Sequence, residues 1–128
     1  MELVLAIFVG GGLGAVLRHF VNTFVMHVWH REFPLGIMII NIVGSFTMGV
    51  LVGLFADVVN APQTLRAFLT VGILGGFTTF SSFSLDAVQM IERGQYAQGT
   101  LYVVGSVVIA FLFLMLGMWL VRSLAVHV

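Results

Sequence analysis

The 128-residue chain has no cysteine and no lysine, and charged residues make up only 8% of it. Without cysteine there is no disulfide framework, no thiolate metal site and no cysteine nucleophile. The scarcity of charge excludes a water-soluble domain, whose composition runs to about 25% charged residues. The five cations, Arg18, Arg31, Arg66, Arg93 and Arg122, are balanced by five acids. With no basic face to neutralise phosphates, nucleic acid is excluded as a partner. Met1-Glu2-Leu3-Val4 lacks the positive stretch and the small-residue cleavage site of a secretory signal, so the first apolar run reads as a retained span.

What is there is 60% hydrophobic. Four apolar segments, at about 2–25, 34–58, 63–90 and 96–123, each exceed the roughly 20 residues that cross a bilayer. Pro34 and Pro62 fit helix starts, where a missing N–H is harmless. Loops this short force adjacent spans to run antiparallel, which predicts an all-α membrane protein with one up-and-down four-helix domain per chain. Gly10 with Gly14, Gly49 with Gly53, and Gly72 with Gly76 recur at the spacing that lets membrane helices approach closely.

The termini and the middle loop share one side with Arg66 and Arg122, while Arg31 and Arg93 lie on the other, with Arg18 near the end of its span. Orientation follows the excess of Lys and Arg on cytoplasmic loops, and here there is almost none. Either the chain inserts both ways and pairs with its inverted self, or a partner or the insertion machinery fixes one weakly biased topology.

The most informative stretch is Gly75-Gly76-Phe77-Thr78-Thr79-Phe80-Ser81-Ser82-Phe83-Ser84, inside the third span. Paired glycines free the backbone from helical geometry. Non-helical backbone at membrane depth survives only when it is buried in protein or lines a polar cavity. A break is therefore expected at Gly75 and Gly76. The following run of hydroxyls supplies donors and acceptors, and Phe77, Phe80 and Phe83 at i, i+3 and i+6 are expected to share one side of a helix. A phenyl ring has a positive edge, so ring edges attract an anion weakly, and weak multi-site contact is what conduction requires.

Asn41 lies within the second span with Ser45 on its face. Its amide either bonds two helices together or offers an NH2 donor to a dehydrating anion, and the sequence leaves both open. Asp86 is an ionisable residue in a membrane segment, which marks a candidate site, although Gln89, Glu92 and Arg93 close by also fit the mouth of the span. Arg18 either snorkels to the interface or draws anions into a vestibule. Trp29 and Trp119 fit the aromatic belt.

These motifs resemble a known family, the small bacterial fluoride channels called Fluc or CrcB. The resemblance covers the whole chain: Gly-Gly-Leu-Gly-Ala-x-x-Arg at 11–18, Asn41-x-x-Gly44, and above all the ten-residue stretch at 75–84. It implies an antiparallel, dual-topology homodimer in the bacterial inner membrane, with two pores that passively export fluoride from the cytoplasm. It also implies a structural sodium ion, not transported, held by the Gly75 and Thr78 carbonyls of a third helix broken near its middle. Phe80 and Phe83 would be ring-edge sites, Asn41 and Ser81 polar pore residues, Arg18 a vestibule cation, Tyr102 a neighbour on the fourth span, and Asp86 the counterpart of a common glutamate. Ile37 and Ile39 stand where relatives often place polar residues, which implies a thinner polar track.

Two other functions compete. A small proton-coupled multidrug exporter needs a membrane-embedded carboxylate, typically in the first span, which here has only Glu2 at its start. A non-transporting assembly subunit would explain the glycine pairs but leave the hydroxyl and phenylalanine cluster without a purpose. No nucleophile–base pair or metal set suggests an enzyme. The even arginine distribution generates a first test. Three lysines added at the C-terminus should force one orientation and abolish fluoride flux, and co-expression with an oppositely biased variant should restore it. Full flux from the single biased variant would count against the antiparallel pair.

Overall fold

The computed structural model describes residues 1–127. Its elements are α1 (Glu2–Val28), α2 (Leu35–Asp57), α3 (Gln63–Ala67), a π-helical segment (Phe68–Leu74), α4 (Gly75–Phe77), α5 (Phe80–Glu92) and α6 (Tyr96–Ala125). Among the described residues, four helical stretches are long and apolar enough to cross a membrane: Glu2–Val28, Leu35–Asp57, Gln63–Glu92 and Tyr96–Ala125. Pro34 and Pro62 each stand immediately before a helix. Between the third and fourth spans, Gly94 takes a φ of 77°. The N–H of Gln95 bonds to Met90 O at 2.9 Å and that of Gly94 to Ile91 O at 2.9 Å, the pairing that closes a helix C-terminus around a left-handed glycine.

Pairs of polar groups tie the ends of the spans together. Arg122 Nε lies 3.6 Å from an Asp57 carboxylate oxygen, joining the ends of α2 and α6. At the opposite end, Gln95 Nε2 donates to Glu32 Oε2 at 2.8 Å. Each pair joins segments that four alternating crossings put on the same side.

The tightest packing joins alternate spans, which run parallel to each other. A Cβ on Gly49 would collide with Leu114 O, one on Gly117 with Phe46 O, and one on Gly53 would press on Val121. Along the other seam, a Cβ on Gly10 would meet Phe68 O at 2.7 Å, one on Gly14 would collide with Ile73 O, and one on Gly76 with Gly11 O. The glycine pairs noted in the sequence are therefore sites of close helix approach, α2 on α6 and α1 on the third span, backbone-to-backbone at all but Gly53, which meets the Val121 side chain. Without a hydrophobic driving force between helices in lipid, such close van der Waals approach is a principal source of attraction.

The buried apolar cluster lies toward the opposite end from the termini, where Ile37 and Ile40 of α2 meet Phe77, Phe83, Ala87, Met90 and Tyr102. Ile37 thus occupies packing space beneath the aromatic residues. The glycine seams generate a second test. Gly14→Ala, which drives a methyl group into the third span, should destabilise the detergent-solubilised protein by about 1–3 kcal/mol. Gly12→Ala faces open space and should change stability by less than about 0.5 kcal/mol. Denaturant titration of both variants decides; equal effects would remove the seam from the account.

Candidate functional site

Helical geometry lapses within the third span, at a place the glycines do not mark. Gly75, expected from the sequence to break the helix, has φ −62° and ψ −37°, and Gly75 to Phe77 form α4. The lapse falls instead at Thr78 (φ −77°, ψ 155°) and Thr79 (φ −151°, ψ 117°), both extended. The physical reason is that Gly72 and Gly76 serve close approach to α1, where helical backbone fits, while the threonines lie where polar partners can hold an extended chain.

Those partners account for every backbone polar group of the two residues. Thr78 N–H donates to Leu74 O at 2.9 Å, and Thr78 O accepts from Arg18 Nη1 of α1 at 3.3 Å. Thr79 N–H donates to Asn41 Oδ1 of α2 at 2.8 Å, and Thr79 O accepts from Asn41 Nδ2 at 3.1 Å. Asn41 therefore pairs with Thr79 in both directions, as a neighbouring strand would. The Thr79 side chain then caps α5, its Oγ1 accepting from Ser82 N–H at 3.1 Å, the interaction that makes threonine a favoured N-cap. Ser81 Oγ lies 3.3 Å from Thr79 Oγ1.

The lapse also reorders the phenylalanines. Phe77 belongs to α4 and is buried, so it does not continue the helical face of Phe80 and Phe83 that the i, i+3, i+6 spacing predicts. On α5, Phe83 is 8% exposed and Phe80 is 78% exposed, with ring centroids 5.6 Å apart. Phe83 lies 5.2 Å from Tyr102, whose ring receives Phe33 edge-on at 5.6 Å. Tyr102 is fully buried, and its hydroxyl donates to Asp86 Oδ2 at 3.3 Å.

Two cavities divide the residues singled out from sequence. A groove of about 380 Å³ is lined by Asn41, Ser45, Thr78, Thr79, Phe80 and Phe83, with apolar walls from α2 and α6. Asp86 lines a separate hollow of about 170 Å³ with Glu32, Gln89 and Arg93, which favours the mouth-of-span reading for that carboxylate. Tyr102 connects the two through its stacking on Phe83 and its bond to Asp86. Gly75 is exposed on the outer face of the protomer. Two residues escaped the sequence reading. Thr79 is the hub of the hydrogen bonds, for which an asparagine in an apolar span was the available signal. Ser106 of α6 is 4% exposed, its Oγ lacks a hydrogen-bond partner, and it lines the same groove; nothing in its local sequence distinguishes it from a packing serine.

Residues 5–118 match a family described as CrcB-like protein, Camphor Resistance (CrcB). Among similar proteins is fluoride-specific ion channel FluC 2 of Nitrobacter hamburgensis, 47% identical over 120 residues, 94% of this chain and 97% of the relative. Fluoride-specific ion channel FluC of Methylobacterium nodulans is 56% identical over 103 residues, 80% of this chain and 82% of the relative. The protein of that name from Rhodospirillum centenum is 46% identical over 123 residues, 96% of this chain and 98% of the relative.

Proposed function

The chain belongs to the CrcB family, and from that premise we infer that it is a fluoride channel of the bacterial inner membrane, a multi-pass protein and not an enzyme. The observation that carries this is the match of residues 5–118 to the family, supported by near full-length similarity to proteins named fluoride-specific ion channels. The channel passively exports fluoride from the cytoplasm and so lowers its toxicity. Neither a proton-coupled exporter nor an assembly subunit is favoured.

The ion path follows the groove. Asn41 supplies a polar group along it, Ser81 and Tyr102 stand next to its lining residues Thr79 and Phe83, Arg18 biases the approach toward anions, and Asp86 lies toward the mouth. Phe80 and Phe83 contribute positive ring edges, which hold a small anion weakly enough for it to leave. Hydroxyl and amide donors replace part of its hydration shell. Phe80, largely exposed in the protomer, faces a second, inverted copy of the chain, so that the working unit is an antiparallel, dual-topology homodimer.

The third span acts as a broken helix at its middle, and the carbonyls of Gly75 and Thr78 fit a structural sodium ion. In a continuous helix Thr79 N–H would close on Gly75 O, but here it runs to Asn41, which leaves Gly75 O without that donor. Thr78 O accepts one bond from Arg18 and has a second lone pair. Among the described residues no group of three or more His, Cys, Asp or Glu stands together, so a cation here would rest on carbonyl oxygens, which suit a hard ion. When bound, it supplies the positive charge that offsets desolvated carbonyls.

Fluoride-electrode recording of efflux from reconstituted vesicles, with chloride and a cationic dye as controls, tests the function. Efflux of fluoride alone is expected; dye export driven by protons, or no flux, would overturn it. Phe80→Ile and Phe83→Ile keep bulk but remove the ring edge. Each should lower fluoride flux at least about tenfold, or roughly 1.4 kcal/mol on the barrier, with the assembly retained. Near-normal flux in both would return these rings to packing. For the cation, flux should be lost after prolonged exchange into a large organic cation and return on adding sodium. Unchanged flux after verified sodium removal would sink the site.

A further inference from the structure

We propose that Asn41 is a positioning residue: by pairing with both backbone groups of Thr79 it keeps the third span from closing into a continuous helix, and so sets where Phe80 and Phe83 stand. The argument starts from competition for one donor. In an unbroken α-helix the N–H of residue 79 bonds to the carbonyl of residue 75. The Asn41 amide oxygen takes that N–H at 2.8 Å, while its Nδ2 answers the Thr79 carbonyl at 3.1 Å. Side-chain amides carry an acceptor and donors together, so one asparagine replaces the two partners that an extended residue needs. Serine or threonine has a single oxygen for both tasks and cannot span both groups in this way.

Three further observations fit the assignment. Thr79 is buried, so water cannot supply the missing partners at this depth. A backbone group left unpaired there carries a several-kcal/mol penalty, which makes helix closure the alternative whenever Asn41 is lost. The N–H of Ser82 bonds to the Thr79 side chain, so the start of α5 is fixed by the same extended residue. Re-closing the helix through position 79 would rotate Phe80 and Phe83 together, away from the groove and from the Tyr102 ring. Arg18, holding Thr78 O from α1, braces the adjoining residue from the other side.

This inference rests on the channel reading for its flux measurement, and separates from it because the electrode assay on the unaltered chain decides that reading alone. The variant leaves Asn41 intact and replaces the Thr79 amide N–H by an ester oxygen, through incorporation of the α-hydroxy analogue of threonine; the ester also weakens Thr78 O as an acceptor for Arg18, so it is read with and without Asn41. The ester should lower fluoride flux about tenfold. The loss on combining the ester with Asn41→Ala should be smaller than the product of the two separate losses, because both changes remove the same bond to the Thr79 N–H. Flux within about twofold of normal in the ester chain, or losses that multiply in the combination, would show that Asn41 does not act through the Thr79 N–H and overturn the proposal. A measurement on the unaltered chain guards against variants that do not assemble. In protein labelled with 15N-asparagine, the Asn41 side-chain proton that bonds Thr79 O should hold its resonance as fluoride is added, whatever the second amide proton meets. A saturable displacement of that resonance would overturn the positioning role.

Discussion

Within hydrocarbon, every backbone N–H and C=O must find a partner inside the protein, and this constraint is hardest to meet at Thr78 and Thr79. A continuous helix would meet it automatically. The chain gives up that solution at two residues and replaces it with Arg18 from α1, Asn41 from α2 and a bond back to Leu74. The placement of α5, its capping by Thr79, the contact of Phe83 with Tyr102 and the groove beside them all follow from this local exchange of partners. Polar residues that look misplaced in apolar spans are the condition for two extended residues to exist there.

Close approach makes the exchange geometrically possible. Arg18 reaches Thr78 because Gly10, Gly14 and Gly76 let α1 and the third span lie backbone-to-backbone. The seam between α2 and α6, through Gly49, Gly53 and Gly117, holds the other parallel pair. Within the third span the π-helical segment Phe68–Leu74 precedes the extended residues. Such wide turns are frequent at functional sites, and here one lies in the same span as the residues whose regular bonding is replaced.

Much of this was legible in sequence. Four spans followed from the length of apolar runs, and the glycine pairs followed from i, i+4 spacing, because both properties are local. The position of the lapse was not. Glycine permits non-helical backbone without requiring it: Gly75 and Gly76 both remain helical, Gly76 with α1 packed on it and Gly75 exposed on the outer face. What decides is the supply of partners, and Asn41 lies 38 residues from Thr79. Sequence separated by that distance offers residue types but no pairing, which is why Asn41 kept two readings and Thr79 was read only as one of a run of hydroxyls. For the same reason the three phenylalanines, equally spaced on paper, fall on two different helices.

The protomer alone leaves two features that hydrocarbon serves badly. Phe80 is 78% exposed beside a mostly apolar groove that also holds Asn41, Ser45, Thr78 and Thr79, and the Gly75 carbonyl lacks the Thr79 donor on an exposed stretch of backbone. Lipid can cover a ring but cannot hydrogen-bond a carbonyl. A second copy in the inverted orientation would bring its own Gly75 to a similar depth, because that residue lies near the middle of its span. Two such carbonyls facing one another repel, so pairing by itself leaves the electrostatic problem unsolved and a cation on the axis resolves it. The proposed dimer and the proposed sodium ion are in this sense one hypothesis: the exchange of hydrogen bonds at Thr79 opens a groove for an anion on one side of the helix and frees an oxygen for a cation on the other.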